Sequence, residues 1–269
     1  MSPRNATTSR SGQRYYDWRS ERYWSVTTIL SGGVPKPALL PWGIKMVAEG
    51  AVEAVESGTL VGMVEQDREG AIRWLKGLPW AHRDKAADLG TAVHEAVEAY
   101  VLGKPYPKWP PLIVPRMRHV ERFLAEYTPT YHMTEASVFN RTERYAGTLD
   151  AIATVGGRTL VIDVKTGKGV YPETALQLAA YRWAEFVGVP DGSEQPMPPT
   201  VGAAVLHLTD EGYSFQHVAS GRDVFQCFLY CREVFRWQEE RSKTVIGDTI
   251  ALPGSETPEQ VALAEVVNE

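Results

Sequence analysis

The stretch GTLDAIATVGGRTLVIDVKTG, residues 147–167, decides how the rest of the chain is interpreted. Two apolar runs flank Gly156-Gly157, and a two-residue glycine loop favours a tight β-hairpin turn. If these glycines form the whole loop, counting back along both strands places Asp150 opposite Asp163. Directly opposed residues have Cβ atoms about 5 Å apart on one face, so the two carboxylates are predicted to repel each other.

Lys165 follows two residues after Asp163 and therefore projects from the same face of the hairpin. A divalent cation would remove the repulsion, because hard cations such as Mg²⁺ bind clustered carboxylate oxygens. The alternative is a solvated surface cluster in which Lys165 neutralises two exposed aspartates. The hairpin alone leaves both interpretations open.

The composition is that of an ordinary soluble globular chain, with 269 residues, 43% of them hydrophobic and 23% charged. No apolar run approaches the roughly 20 residues of a membrane helix, and the N-terminus lacks the apolar segment of a secretory signal. We therefore expect a cytoplasmic protein without a membrane partner. Cys227 and Cys231, one helical turn apart, are predicted to be reduced and half-buried, which excludes a disulfide framework.

The net charge of −5 is unevenly distributed along the chain. Residues 239–269 hold seven acids and two bases, whereas the first 24 residues hold five arginines against Asp17 and Glu21. This distribution leaves room for a local basic groove on a neutral body. The predicted units, in chain order, are a poorly ordered basic N-terminus (1–24), one domain (25–242) made of a helical region (25–86) and a core (87–242), and an acidic tail (243–269).

Hydrophobic periodicity predicts an α/β fold, a central mixed sheet flanked by helices, with an N-terminal helical region. Short helices are expected between residues 26 and 78. Longer helices are predicted over 87–103, 114–127, 172–187 and 221–240. Strands are predicted near 135–140, 145–155, 158–165, 200–208 and 212–218.

Two polar pairs lie on the predicted helices. Gln177 and Tyr181 are one turn apart and flank a core stripe made of Leu176, Ala179, Ala180, Trp183 and Val187. His94 and Glu98 share a face of helix 87–103, where a lone histidine is more often structural than a ligand. The local sequence HEAVE lacks the second histidine of the zinc-protease pattern.

Taken in order, these residues resemble the RecB-like branch of the PD-(D/E)XK nuclease superfamily. The matching pieces are GTAVHEAVE, GTLD, DVKTG and QLAAY, within about residues 88–188. The earlier SVTTILSGGVPKPALLPWGIK is similar to the N-terminal region of bacteriophage relatives of the CRISPR-adaptation exonucleases. The resemblance implies a restriction-endonuclease-like core and a metal-dependent DNA nuclease, with exonuclease action favoured, in phage or bacterial recombination or repair.

The Mg²⁺ or Mn²⁺ ligands that the resemblance implies are His94, Asp150, Asp163 and the carbonyl of Val164. Lys165 would position the attacking water and help to deprotonate it. Gln177 and Tyr181 would orient the DNA backbone or support the site. Glu98 and Glu135 could act through water or a second metal, but a structural role is favoured for both.

The sequence departs from many CRISPR-linked relatives, which hold an iron–sulfur cluster on four cysteines. Two cysteines on one helix cannot supply that ligand set, so no iron–sulfur cluster is expected. DNA is the expected partner, together with a possible recombination or helicase protein, and the oligomeric state is left open. Two other functions stay open: a non-catalytic DNA-binding or assembly module of the same fold, and a metal-dependent hydrolase of another phosphate ester.

Overall fold

The computed structural model of the chain describes residues 6–105 and 108–250. Its strands are β1 Ala6–Thr8, β2 Arg14–Trp18, β3 Glu21–Ser25, β4 Thr130–Asn140, β5 Tyr145–Val155, β6 Arg158–Lys165, β7 Phe186–Gly188, β8 Glu194–Pro196, β9 Gly202–Leu208 and β10 Tyr213–Val218. Its α-helices are α1 Val26–Gly33, α2 Leu39–Glu56, α3 Thr59–Gln66, α4 Arg68–Val101, α5 Val114–Tyr127, α6 Glu173–Arg182 and α7 Arg222–Glu239. None of these helices is long and apolar enough to cross a membrane.

All ten strands belong to one open, mixed sheet with β5 near its centre. One edge of β5 is paired along its length with β4. The other edge is shared by β3, which runs parallel to β5, and β6, which runs antiparallel. β6 continues the sheet through the parallel strand β9 and then β10. The predicted class, α/β with a central mixed sheet flanked by helices, is confirmed.

The hairpin formed by β5 and β6 has the register that the sequence predicts. Val155 lies opposite Arg158, and Ala151 lies opposite Ile162. The two loop residues have positive φ angles, 55° at Gly156 and 76° at Gly157. A tight primed turn needs positive φ at both positions, which glycine adopts without steric cost. The turn therefore sets the register that brings the two aspartates together.

Apolar side chains on the two faces of the sheet pack against different helices. On β6, Val161 joins the cluster formed with α1, α6 and α7. Its neighbours Leu160 and Ile162 point the other way and join the cluster formed with α4 and α5. Because successive strand residues alternate between faces, one short apolar run supplies both clusters. The result is a sheet between two helical layers.

The prediction of a poorly ordered N-terminus over 1–24 is wrong for the described residues 6–24. β1, β2 and β3 form an antiparallel extension of the sheet, attached through β3 to β5. Tyr16, Trp18 and Tyr23 are buried and pack against Phe139 and Phe186. Buried Tyr16 and Trp18 flank exposed Asp17 at the two-residue period of a strand, so burial of the rings outweighs the cost of ordering a polar segment.

Several predicted boundaries also shift. The helix expected over 87–103 is the last part of α4, which continues through Pro79 and crosses the expected boundary at 86/87. The helix expected over 172–187 ends at Arg182, because Phe186 and Val187 pair with β4 as strand β7. Of the predicted acidic tail, residues 244–250 are exposed and lie outside any helix or strand, and residues 251–269 lie outside the described part of the chain.

Candidate functional site

The edge of β5 that β3 and β6 share is interrupted between them. β3 pairs with Tyr145 and Ala146, and β6 pairs with β5 from Ala151 onward. Since β3 runs parallel to β5 and β6 antiparallel, the carboxyl ends of β3 and β6 point toward each other across residues 147–150. A cavity of about 190 Å³ opens at this gap. Its walls include side chains from α4 and α6, helices that pack on opposite faces of the sheet.

Asp150 stands at this gap and is held by the neighbouring strand. The backbone N–H of Val164 donates to Asp150 Oδ2 over 2.7 Å. His94 Nδ1, from α4, lies 3.4 Å from the same oxygen. The Val164 backbone therefore lies beside Asp150, while its side chain packs in the apolar cluster with α4 and α5.

Asp163 is only 2% exposed and is held by Lys165 and Gln177. Lys165 Nζ donates to Asp163 Oδ1 over 3.0 Å and lies 2.8 Å from Oδ2. Gln177 Nε2 donates to the same Oδ1 over 3.1 Å, and its Oε1 accepts from Lys165 Nζ over 3.2 Å. Oδ2 accepts no hydrogen bond of normal geometry. A solvated surface cluster therefore does not describe Asp163, which is a buried carboxylate paired with Lys165.

Tyr181 belongs to the apolar core and reaches the site through its hydroxyl. The residue is 3% exposed, so the prediction that it only flanks the core is wrong. Gln177 Nε2 donates to Tyr181 Oη over 3.3 Å, which connects the hydroxyl to Asp163. The ring passes close to the backbone of Gly147, where an added β-carbon would lie 2.4 Å from Tyr181 Cε1.

Burial and mutual repulsion raise the pKa values of two carboxylates in the site. Burial raises the pKa of Asp163 to about 6, and the negative charge of Asp150 adds to this effect while Lys165 opposes it. Burial also raises the pKa of Glu135 to about 7, again with a contribution from Asp150. Burial raises the pKa of Tyr181 well above its usual range, so its hydroxyl remains protonated at neutral pH. Strongly shifted carboxyl groups in a cavity are typical of functional sites.

Glu135 lies in the site although its sequence context favoured a structural role. It is half-buried on β4 and contributes to the same cavity. One ligand atom each from His94, Glu135 and Asp150 can be chosen so that all three lie within 4.8 Å of one another. Such a spacing suits ligands of one cation, and an imidazole with carboxylate oxygens suits Mn²⁺ and, through the oxygens, Mg²⁺. The register of β4 against β5 could have revealed this residue.

The N-terminal strands also contribute hydrogen-bond donors to the cavity. Arg14 and Tyr16 on β2 line it, together with Thr27 at the start of α1. Tyr16 Oη and Thr148 Oγ1 are hydrogen-bonded over 3.0 Å. The lining therefore combines carboxylates with a guanidinium and several hydroxyls. The prediction of a poorly ordered segment over residues 1–24 hides this contribution.

Glu98, Cys227 and Cys231 lie outside the cavity lining. Glu98 accepts from Lys104 Nζ over 3.0 Å near the end of α4, which agrees with the structural role favoured for it. The two cysteines are free thiols on α7, and Cys227 is exposed rather than half-buried as predicted.

The chain matches no protein-family model and no curated protein sequence. Among solved structures, the one titled "Crystal structure of SSO0001" is similar over 67% of this chain and 70% of its own, with 16% sequence identity and a TM-score of 0.33. A similarity this low carries no functional argument, so function is inferred from the chemistry of the cavity.

Proposed function

We propose that this chain is a metal-dependent DNA nuclease with a restriction-endonuclease-like core, of the RecB-like PD-(D/E)XK type. Exonuclease action on DNA during phage or bacterial recombination or repair fits the sequence resemblance best. The observation that carries the proposal is the meeting of Asp150, Asp163 and Lys165 with His94 and Gln177 at one cavity. These residues come from the β5–β6 hairpin, from α6 that follows it, and from α4, which lies much earlier in the chain.

The donor set fits Mg²⁺ or Mn²⁺. Asp150 and Asp163 offer hard carboxylate oxygens, His94 offers an imidazole nitrogen, and the Val164 carbonyl belongs to the same strand end. Buried Asp163 Oδ2 accepts no hydrogen bond of normal geometry, although Lys165 Nζ lies 2.8 Å away, so this oxygen keeps a lone pair for a cation. When bound, the cation would polarise a phosphoryl oxygen and make water a better nucleophile at neutral pH.

The side chains around the cation position have complementary tasks in phosphodiester hydrolysis. Lys165 can hydrogen-bond the attacking water, and its ammonium stabilises the negative charge that develops on the phosphoryl oxygens. Gln177 holds Lys165 and Asp163 in one arrangement through its two hydrogen bonds. Arg14, which also lines the cavity, can present a cation to an anionic substrate.

Digestion of end-labelled DNA tests the proposal. Linear, circular and single-stranded DNA should be incubated with Mg²⁺ or Mn²⁺, and in parallel with EDTA. Metal-dependent loss of nucleotides from linear DNA, with circular DNA spared, is the expected result for an exonuclease. Binding of DNA without cleavage under every metal condition would favour the non-catalytic module. Cleavage of small phosphodiesters but not of DNA would favour a hydrolase of another phosphate ester.

A further inference from the structure

Three carboxylates stand in one row across three neighbouring strands. The β4–β5 pairs on either side of Glu135 place it level with Asp150. The β5–β6 register places Asp150 level with Asp163. The φ of 46° at Glu135 interrupts the regular strand there, and all three carboxylates line the same cavity.

The positive charge beside this row is concentrated at one end. Lys165 is engaged by Asp163, the last carboxylate of the row. Among the described residues, no lysine or arginine forms an ion pair with Glu135 or Asp150, and His94 faces them instead. Like charges on opposed strand residues are destabilising, so a cation at the Glu135 end of the row would relieve the repulsion between Glu135 and Asp150.

The ligand atoms at this end lie at the spacing of a cation site. One atom each from His94, Glu135 and Asp150 can be chosen so that all three lie within 4.8 Å of one another. Two carboxylates and an imidazole nitrogen at this spacing are an arrangement that a divalent cation stabilises. Asp163 lines the same cavity, where Lys165 Nζ lies 2.8 Å from its buried Oδ2.

We propose that Glu135 is a direct ligand of the divalent cation, which it shares with His94 and Asp150. The proposal rests on the function proposed above, because it concerns the same cation. Glu135 would add a carboxylate oxygen from β4 to the ligands proposed above, and water and substrate would take the coordination positions that the protein leaves open. Mg²⁺ and Mn²⁺ sites that act on phosphates keep such open positions.

The test is Mn²⁺ binding by the full chain, measured by titration calorimetry and by the electron paramagnetic resonance of free Mn²⁺. Glu135→Gln keeps the size of the side chain and removes its charge, and should weaken Mn²⁺ affinity about 10-fold or more. Glu121→Gln is the matched control, because it removes an exposed carboxylate of α5 that lies outside the cavity lining. Its affinity should stay within about 2-fold of the unmutated chain.

A ligand exchange keeps the test decisive if Glu135→Gln folds poorly. Thiolates prefer soft cations, so Glu135→Cys should bind Cd²⁺ in preference to Mn²⁺ and show a sulfur-to-cadmium charge-transfer absorption that the unmutated chain lacks. The unmutated chain also controls for Cys227 and Cys231. Unchanged Mn²⁺ affinity in folded Glu135→Gln, or no new absorption in Glu135→Cys, overturns the proposal.

These outcomes separate the ligand from the function. If Glu135→Gln loses Mn²⁺ but the unmutated chain cuts no DNA, Glu135 is a ligand and the nuclease assignment fails. If DNA is cut with Mn²⁺ while Glu135→Gln binds Mn²⁺ normally, the nuclease assignment stands and Glu135 is not a ligand. Failure of the unmutated chain to bind Mn²⁺ overturns the proposal directly.

Discussion

The ring of Tyr181 occupies the space that a side chain at position 147 would need. An added β-carbon would lie 2.4 Å from Tyr181 Cε1 and 3.3 Å from its hydroxyl oxygen. The same hydroxyl accepts from Gln177, which holds Asp163 and Lys165. The absence of a side chain at Gly147 therefore allows Tyr181 to place its hydroxyl within the polar network of the cavity.

Gly147→Ala should destabilise the fold by about 1–3 kcal/mol, the usual cost of an extra methyl group in a packed core. It should also lower cleavage, because displacement of Tyr181 moves Gln177 and Lys165. Gly62→Ala is the matched control, since an added β-carbon on α3 meets nothing within 4 Å. That change should stabilise the protein by up to about 1 kcal/mol. Urea denaturation measures both, and equal effects at the two sites would contradict the packing argument.

Lys165→Met tests the catalytic role proposed for Lys165. Single-turnover cleavage at saturating Mg²⁺ and DNA should fall by roughly 10²-fold or more, because the charge that stabilises the transition state is lost. Mn²⁺ affinity should be nearly kept, since the carboxylates remain. Lys168→Met, on the exposed loop after β6, should leave the rate within a few-fold. A Lys165→Met rate close to that of the unmutated chain would remove Lys165 from the mechanism.

The imidazole on α4 gives an independent test of the cation position. His94→Ala should weaken Mn²⁺ binding, because one nitrogen ligand 3.4 Å from Asp150 is lost. His82→Ala on the same helix is the control, since His82 is exposed and packs against Trp42 instead. Mn²⁺ titration of both variants measures the difference. Identical titration curves would assign His94 a structural role.

The raised carboxyl pKa values predict how the metal-free protein responds to pH. Burial raises the pKa of Asp163 from 3.8 to about 6 and that of Glu135 from 4.5 to about 7. The folded state therefore binds more protons than the unfolded state between about pH 4 and pH 7, so stability in EDTA should fall as pH rises through this range. Asp163→Asn should flatten the lower part of the profile.

Melting curves in EDTA and in Mn²⁺ check this pH dependence. Mn²⁺ should raise the melting temperature most above about pH 7, where both carboxylates are ionised, because cation and protons compete for the same oxygens. A melting temperature in EDTA that rises between pH 5 and pH 7 would contradict the assignment of these shifts.

The N-terminal strands give a stability prediction. Trp18 is 6% exposed, packs with Phe139 and Phe186, and donates its indole N–H to Glu194. Trp18→Ala should therefore cost about 3–5 kcal/mol. Trp80→Ala, at a tryptophan of α4 that is 60% exposed, should change stability by no more than about 0.5 kcal/mol. Similar denaturation midpoints for the two variants would show that the N-terminal strands do not contribute to the core.

The hairpin was predictable because its determinants are local. Two glycines fix the turn, the turn fixes the register, and the register places Asp150 and Asp163 on one face. Counting opposed residues on β4 and β5 in the same way requires knowing that these two strands pair and which residues lie opposite each other. That pairing depends on a four-residue connection with Arg144 at positive φ, which local sequence does not specify. Glu135 was therefore discounted although it stands level with Asp150.

The local sequence pattern gives the wrong structure for the N-terminal strands and for the end of α6, and the reason is different. The many arginines of residues 1–24 favour a prediction of disorder. The burial of Tyr16, Trp18 and Tyr23 depends on Phe139 and Phe186, which lie more than 100 positions away in the sequence. Likewise, apolar spacing continued the helix past Trp183, whereas pairing with β4 draws Phe186 and Val187 into the sheet. In both cases tertiary partners decided between states that local sequence leaves nearly balanced.

The interrupted edge of β5 also determines when the cavity can form during synthesis of the chain. β3 finds its neighbour on β5 only after residue 146 has been made, and the opposite side of the gap is completed only by β6 and α6. Loop closure over more than 100 residues must therefore precede the cavity. A nascent or truncated chain that ends before Tyr181 cannot assemble the polar network, so the cavity and its chemistry appear late, in a nearly finished domain.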